Sequence, residues 1–509
     1  MKNYIRLWPG FLIFCISVII SVLIYQDYGL GSDEDGQRGI GERYYQYVFH
    51  GDTTFNTYIE RDHGAGFELP LKIIEKKFHI TDERDVYLMR HIVSHLFFLV
   101  CMFFGYVLVL RVFNNQWLAC LAYLMLIYHP RLFSQAFFNS KDIPSMGTFL
   151  VAIALARWAF VKNKPIAYIL LGIAIGYSVS IRLMNIIILP PILLFCAIDL
   201  WQGIRNKRNV LPVIINTGTM LAGFAIALYI CWPTLWGNPV KNLVESYESL
   251  SVFRWTGAVR FAATKLEAAD IPWSYIPTWF VISTPEVWLL LGLIGIILIS
   301  ASFIDAPTQY FTKPEQRIFL LALFCFIAPI VVVILLDSVL YDDWRHLYFI
   351  YPSFVLLAMY GLNHLLKKKY APVVWGFCVL QLLLVGRFMI KAHPYQYVFF
   401  NYLLSHKEDY LMKEYELDYW GVSNKDGLEW VLAHSDKDTI HINGAWILGF
   451  NKCLLTPEKR RRFVQTDDET LWDYHIENFR MLPYKYSREQ SAYNIDVLNS
   501  PILRVTKLK

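Results

Sequence analysis

The chain has 509 residues, of which 56% are hydrophobic and only 17% charged, with a mean hydropathy of +0.36. That balance excludes an ordinary soluble enzyme. The formal net charge of +5 sits mostly in short basic clusters between apolar runs, which is the signature of membrane topology and not of a nucleic-acid footprint.

A bilayer is crossed by about 20 apolar residues, with roughly 17 to 25 tolerated. On that criterion eleven spans are predicted, near 8–25, 88–112, 116–129, 144–161, 165–181, 184–201, 210–231, 286–304, 317–336, 347–366 and 371–390. The third is short. The basic start and apolar core of the N-terminus lack a small-residue cleavage site, so they read as an uncleaved signal anchor. His91, Ser94 and His95 open the second span and suit a helix that faces the bundle interior. With Lys2 and Arg6 on the cytoplasmic side, Arg111, Lys162/Lys164, Arg205/Lys207/Arg208, Lys313/Arg317 and Lys367-Lys368-Lys369 all fall inside. The positive-inside rule favours that orientation, and an odd span count then puts 391–509 outside.

Four outer segments exceed what topology needs: 26–87, 130–143, the Trp- and Pro-rich 232–285, and Asp337–His346. Their aromatics suit stacking on sugar rings or contact with prenyl tails. The expected division is a membrane domain over 1–390 and a soluble domain over 391–509. In the latter, Asn424–His434 has helical apolar spacing, while Thr439–Asn443 and Ile502–Lys507 alternate like strands, so a small α/β or α+β fold is predicted. Seven of the eight cysteines lie in or beside apolar runs and only Cys453 lies in the polar tail, with no CxxC or His-rich spacing. Neither a disulfide framework nor a structural zinc site is indicated.

The residues suited to chemistry collect in the outer loops. Asp33, Glu34 and Asp35 follow the first span between glycines. Carboxylates at a membrane surface are costly unless they pair, bind a cation or handle a proton. Asp33 is the first choice for a general base, with a solvated acidic turn as the plain alternative. Glu60-Arg61-Asp62-His63-Gly64 and Glu68 offer an acceptor or metal site, or a surface turn. Before the fourth span, Asn139-Ser140-Lys141-Asp142 pairs a cation suited to phosphate with an acid that serves either chemistry or as a helix N-cap. Arg182 either snorkels, pairs with an acid or grips phosphate. Arg345 and His346 are suited to phosphate oxygens, with Asp342 and Asp343 as competing partners.

Together these residues resemble the membrane glycosyltransferases of the GT-C type, in particular the protein O-mannosyltransferase-like branch (family 39) and the lipid A aminoarabinose transferase branch. The resemblance implies a polytopic α-helical fold of about eleven membrane helices. It implies a polyprenyl-phosphate sugar donor on the outer leaflet, and a protein, lipid or glycan acceptor glycosylated by direct displacement, usually with inversion. Asp33-Glu34 is similar to the family's first-loop pair, whose Asp is taken as the base. Asn139 to Pro144 is similar to its second acidic site. Trp344-Arg345-His346-Leu347-Tyr348-Phe349 resembles the late loop that meets the donor phosphate. The assignment that follows is Asp33, Glu34 and Asp142 as catalytic residues and Lys141, Arg182, Arg345 and His346 as the phosphate site. Asp35, Asp62, His63 and Glu68 are acceptor or metal candidates, and the need for a divalent metal is open. His393 to Tyr397 with Phe400-Asn401, and Leu417 to Gly421, resemble a stretch of microbial relatives. The expected location is the bacterial inner membrane, with 391–509 outside the cytoplasm.

A transporter or flippase of lipid-linked sugars is the first competing reading, but no paired repeat or midplane break is visible. A surface-polysaccharide ligase or polymerase and a degenerate scaffold are the others.

Overall fold

The computed structural model describes residues 7–251, 255–480 and 485–509; Lys2 and Arg6 lie outside them. The membrane part is a bundle of helices: α1 Trp8–Ile24, α2 Glu34–His50, α3 Glu68–Lys77, α4 Glu83–Phe113, α5 Gln116–Ile127, α6 Pro130–Phe138, α7 Asp142–Lys162, α8 Pro165–Val179, α9 Leu189–Arg205, α10 Leu211–Cys231, α11 Pro239–Ser251, α12 Tyr275–Ser283, α13 Glu286–Asp305, α14 Pro314–Leu335, α15 Tyr351–Leu365 and α16 Ala371–Lys391. Short 3-10 turns, Leu183–Ile188 and Arg345–Ile350, lead into α9 and α15.

Every predicted span maps onto a helix. Among the described residues, however, seven helices are long and apolar enough to cross a membrane: α4, α7, Leu183–Arg205, α10, α13, α14 and α16. Helices α1, α5 and α8 are apolar but shorter, and α15 has 15 residues, most of them buried in protein. The outer segments are far from loops: α2 and α3 fill 26–87, α6 fills much of 130–143 and α12 lies in 232–285.

Glycine fixes two of the closest helix contacts. A Cβ on Gly172 of α8 meets the Met220 carbonyl of α10, and a Cβ on Gly223 meets the Ile169 carbonyl in return. Small residues allow such backbone approach where lipid gives no hydrophobic drive between helices. The Gly295–Gly361 contact does the same for α13 and α15.

Beyond α16, helix α17 (Asn424–His434) packs on a five-stranded sheet. A hairpin of β1 (Ala258–Phe261) and β2 (Thr264–Glu267) stands apart from it. The larger sheet holds β3 (Ile440–Asn443), β4 (Phe463–Gln465), β5 (Tyr474–Asn478), β6 (Tyr493–Val497) and β7 (Ser500–Lys507) in the order β4-β3-β5-β7-β6. β3 runs parallel to both β4 and β5, and β7 runs antiparallel to both β5 and β6. The predicted helix at 424–434 and the strands at 439–443 and 502–507 are therefore present. Helix α17 buries Leu428 and Val431 against the sheet, as their spacing requires.

The sheet region is locked to one end of the bundle. Asn451 Oδ1 accepts from the Leu30 backbone at 2.8 Å, and Ser32 donates to the Trp420 carbonyl at 3.0 Å. The buried Asp418 carboxylate accepts from Tyr397, from the Ser423 hydroxyl, from the backbone of Gly421, Val422 and Ser423, and from Asn478. The two unusual sequence runs, 393–401 and 417–421, are thus halves of one joint.

Candidate functional site

At the end of the bundle that carries the sheet, the chain brings together side chains from four distant segments. Asp33 stands at the N-cap of α2, yet its side chain caps nothing. It is turned instead toward Arg345, whose Nη1 donates to Asp33 Oδ2 at 2.6 Å. The same Nη1 lies 3.8 Å from Asp142 Oδ2, and Nη2 lies 3.1 Å from Asp342 Oδ2. One guanidinium is therefore held among three carboxylates, between the rings of Trp420 and Tyr341 at 4.6 and 4.8 Å. Arg345 and Asp142 have 3% and 2% of their side-chain surface exposed, whereas Asp33 keeps 41%. The exposed member of the set is the expected base.

Burial works to raise the Asp33 carboxyl, but Arg345, with help from Lys141 and Arg480, outweighs it and holds the group below the usual carboxylate range. Lys141 is displaced too. Burial, reinforced by the Arg182 charge, brings its ammonium down to about 8. Its Nζ lies 2.9 Å from His63 Nδ1, and His63 Nε2 lies 2.6 Å from Glu60. Burial and Lys141 bring His63 down to about 4, so at neutral pH its Nδ1 accepts from Lys141 and its Nε2 donates to Glu60. Arg182 forms an ion pair with Asp142. His346 has an unpartnered buried Nδ1, and burial together with Arg345, Arg182 and Lys141 keeps it neutral.

The backbone builds this arrangement deliberately. Asp342 and Asp343 both adopt left-handed conformations, with φ of 55° and 65°. Such strain costs on the order of 1 kcal/mol or more per residue. It sends the two carboxylates to different partners. Asp342 faces Arg345 and, at 2.6 Å, Arg480. Asp343 receives Arg131 at 3.0 Å, Tyr348 at 3.0 Å and Tyr419 at 2.6 Å. Gln135 of α6 donates to both tyrosines and accepts from Asn139, which in turn donates to Asp142. A continuous buried polar chain therefore joins Asp142 to Asp343.

Asp33, Lys141, Asp142, Arg182, Arg345 and His346 belong to this centre, and the remaining candidates fare differently. Asp142 is not the N-cap its position suggested; it opens α7, and Asn139 Oδ1 accepts from its backbone at 2.9 Å. Glu34 is buried, bound to His91 at 3.1 Å and to the Gly31 backbone at 2.8 Å. It sets the turn that presents Asp33. Asp35 is exposed beside Tyr87, Asp62 accepts from Ser246, and Glu68 is held by Arg90 and Ser140. The four acceptor or metal candidates therefore have separate partners. Among the described residues no three His, Cys, Asp or Glu side chains gather to hold a metal ion.

Sequence reasoning missed Arg480. Its Nε lies 3.5 Å from Glu416, a fully buried acid that burial and the Asp342 charge push well up from the usual carboxylate range. Nothing around Arg480 in the sequence marks it, because only the folded tail carries it to Asp342. Trp420 lay inside the unusual run 417–421, which was a usable signal.

The chain is similar in part to known proteins. Residues 65–236 match the family model for dolichyl-phosphate-mannose-protein mannosyltransferase. The oligosaccharyltransferase of Archaeoglobus fulgidus superposes with a TM-score of 0.52 at 12% identity, over 94% of this chain and 70% of that one. The chain shares the fold of that oligosaccharyltransferase. ArnT from Cupriavidus metallidurans aligns over 97% of both chains at 12% identity, with a TM-score of 0.45. No curated protein matches the chain by sequence. The matched stretch 65–236 contains Lys141, Asp142 and Arg182 but neither Asp33 nor Arg345.

Proposed function

We propose that this protein transfers a sugar from a polyprenyl-phosphate donor to an acceptor at the sheet-bearing end of the bundle. The single observation behind this reading is the convergence of Asp33, Asp142 and Arg345 beside Lys141 and Arg182. The match over 65–236 to a family named for a dolichyl-phosphate sugar supports it.

Charge decides the assignment of roles. A polyprenyl-phosphate sugar is a phosphodiester with one negative charge. When the bond from the sugar anomeric carbon to the phosphate oxygen breaks, the electron pair leaves with the phosphate, whose charge rises toward two. Cations placed there stabilise the transition state more than the ground state. Arg345, Arg182 and Lys141 are suited to that task. The acceptor group attacks the anomeric carbon from the opposite face, giving inversion, and Asp33 takes its proton.

The Arg345 contact makes Asp33 a weak base in the absence of donor. A phosphate that draws the guanidinium away removes the influence that lowers the carboxyl, so donor binding raises the proton affinity of the base. Proton transfer is thereby tied to a loaded site.

The basic loops at the other end of the bundle read as cytoplasmic by the positive-inside rule. On that reading the site and the sheet face away from the cytoplasm, across a bacterial inner membrane. The acceptor is a protein, lipid or glycan.

The test is an assay of membranes carrying the protein with a panel of polyprenyl-phosphate sugars and an extract of acceptors. The expected result is sugar transfer matched by release of polyprenyl phosphate from one donor. Absence of release from every donor would overturn the proposal.

A further inference from the structure

At the end of the bundle away from the sheet, helices α4, α7, α14 and α15 line an open cleft of about 230 Å³. It is remote from the centre around Arg345. Arg157, Glu315, Gln316 and Asn363 give it polar walls, and Phe319 and Tyr360 an aromatic one. Those two rings meet edge to face at 4.7 Å.

Depth identifies the environment. Arg157 is five residues from the end of α7, Glu315 is the second residue of α14, and Asn363 is two residues from the end of α15. At 1.5 Å per residue the polar groups lie within about 8 Å of the helix ends, at the level of lipid headgroups. A cation so placed in a spanning helix is costly and needs a partner. Yet Arg157 Nε is buried without a hydrogen-bond partner, and so is Gln316 Oε1. The walls thus contain one unsatisfied donor on a cation and one unsatisfied acceptor, both covered by protein in this structure. Glu315 adds a negative charge to the same wall. A simple anion satisfies only the first half of that pattern, whereas a zwitterion satisfies both.

We propose that this cleft binds the headgroup of an aminophospholipid from the adjacent leaflet. The phosphodiester sits on Arg157, and the ammonium sits on Glu315 and Gln316 Oε1. Guanidinium suits a phosphodiester through its directed N–H groups, and basic pockets between membrane helices take phospholipid heads by the same chemistry. The proposal is independent of the transferase reading, because none of these residues touches the centre around Asp33.

The full-length protein, purified in detergent, is titrated with phosphatidylethanolamine and separately with phosphatidylglycerol, and bound lipid is counted by native mass spectrometry. Wild type is expected to retain one phosphatidylethanolamine at concentrations where phosphatidylglycerol is lost. Arg157→Gln should weaken retention about ten-fold or more, as expected for loss of a charged hydrogen bond, and Arg157→Lys less. Glu315→Gln should erase the preference for phosphatidylethanolamine, which decides the matter even if Arg157→Gln fails to fold. Equal retention of both lipids by wild type, or undiminished retention by a folded Arg157→Gln protein, would overturn the proposal. So would displacement of the lipid by an equal concentration of free glycerophosphoethanolamine, since the ligand would then be a soluble headgroup.

Discussion

Arg345 donates to Asp33 at 2.6 Å across 312 residues of sequence, and the contact ties the first outer loop to the late one. Asp142 and Asp342 hold the same guanidinium from the other sides. The group is an organiser of acids as much as a ligand for phosphate. Arg345→Lys keeps the charge but loses the fork that reaches three carboxylates at once. Transfer should fall about a hundred-fold, the scale of losing one oriented donor, in initial-rate assays on membranes with matched protein levels.

Asp342 links Arg345 to Arg480 of the tail. Arg480→Gln should lower the turnover rate about ten-fold while donor affinity changes little, because Arg480 positions Asp342 and adds its charge beside Asp33. Arg480→Lys should recover part of the loss. Separate measurement of donor binding and single-turnover rate distinguishes this from simple unfolding.

The pH profile carries the mark of Lys141. Its ammonium is brought down to about 8 by burial, so the charge suited to the donor phosphate disappears above that pH. The alkaline limb of kcat/KM should lie near pH 8, and Lys141→Arg should move it to higher pH. Stability changes in the opposite sense. Between about pH 8 and the ordinary lysine value near 10.4, the unfolded chain keeps a proton that the folded chain has lost, so the contribution of this group to stability rises with pH. Loss of activity above pH 8 without a fall in melting temperature checks both signs.

Asp418 does not touch Asp33 or Arg345, but it anchors the joint between bundle and sheet through Tyr397, Ser423 and Asn478. Asp418→Ala leaves several buried donors unpaired and should destabilise the protein by about 3 kcal/mol or more. Thermal unfolding in detergent should show a clear loss, and transfer per folded molecule should fall as well, because the next two residues, Tyr419 and Trp420, support Asp343 and Arg345.

Much of this architecture was legible in the sequence. Apolar runs of the right length located all the spans as helices, and strand alternation found the segments around Ile440 and Ile502. The outer loops were read as loops because α2 and α3 are too polar for a membrane criterion to register. Asp33, Asp142 and Arg345 were identified from residue type and position relative to the spans. Their mutual contact was not legible, since ion pairs across hundreds of residues leave no local pattern. Glu34 looked equivalent to Asp33, and only the fold shows that one is buried against His91 while the other is partly exposed. The partner of Glu68, Arg90 from a different helix, was equally invisible in the sequence.

The most direct test of the account is a comparison of Asp33→Asn with wild type in a single-turnover assay on pre-bound donor. The account predicts that the variant inserts, binds the polyprenyl-phosphate sugar with near wild-type affinity and transfers essentially none of it. Transfer at the wild-type rate would contradict the assignment of Asp33 as the base.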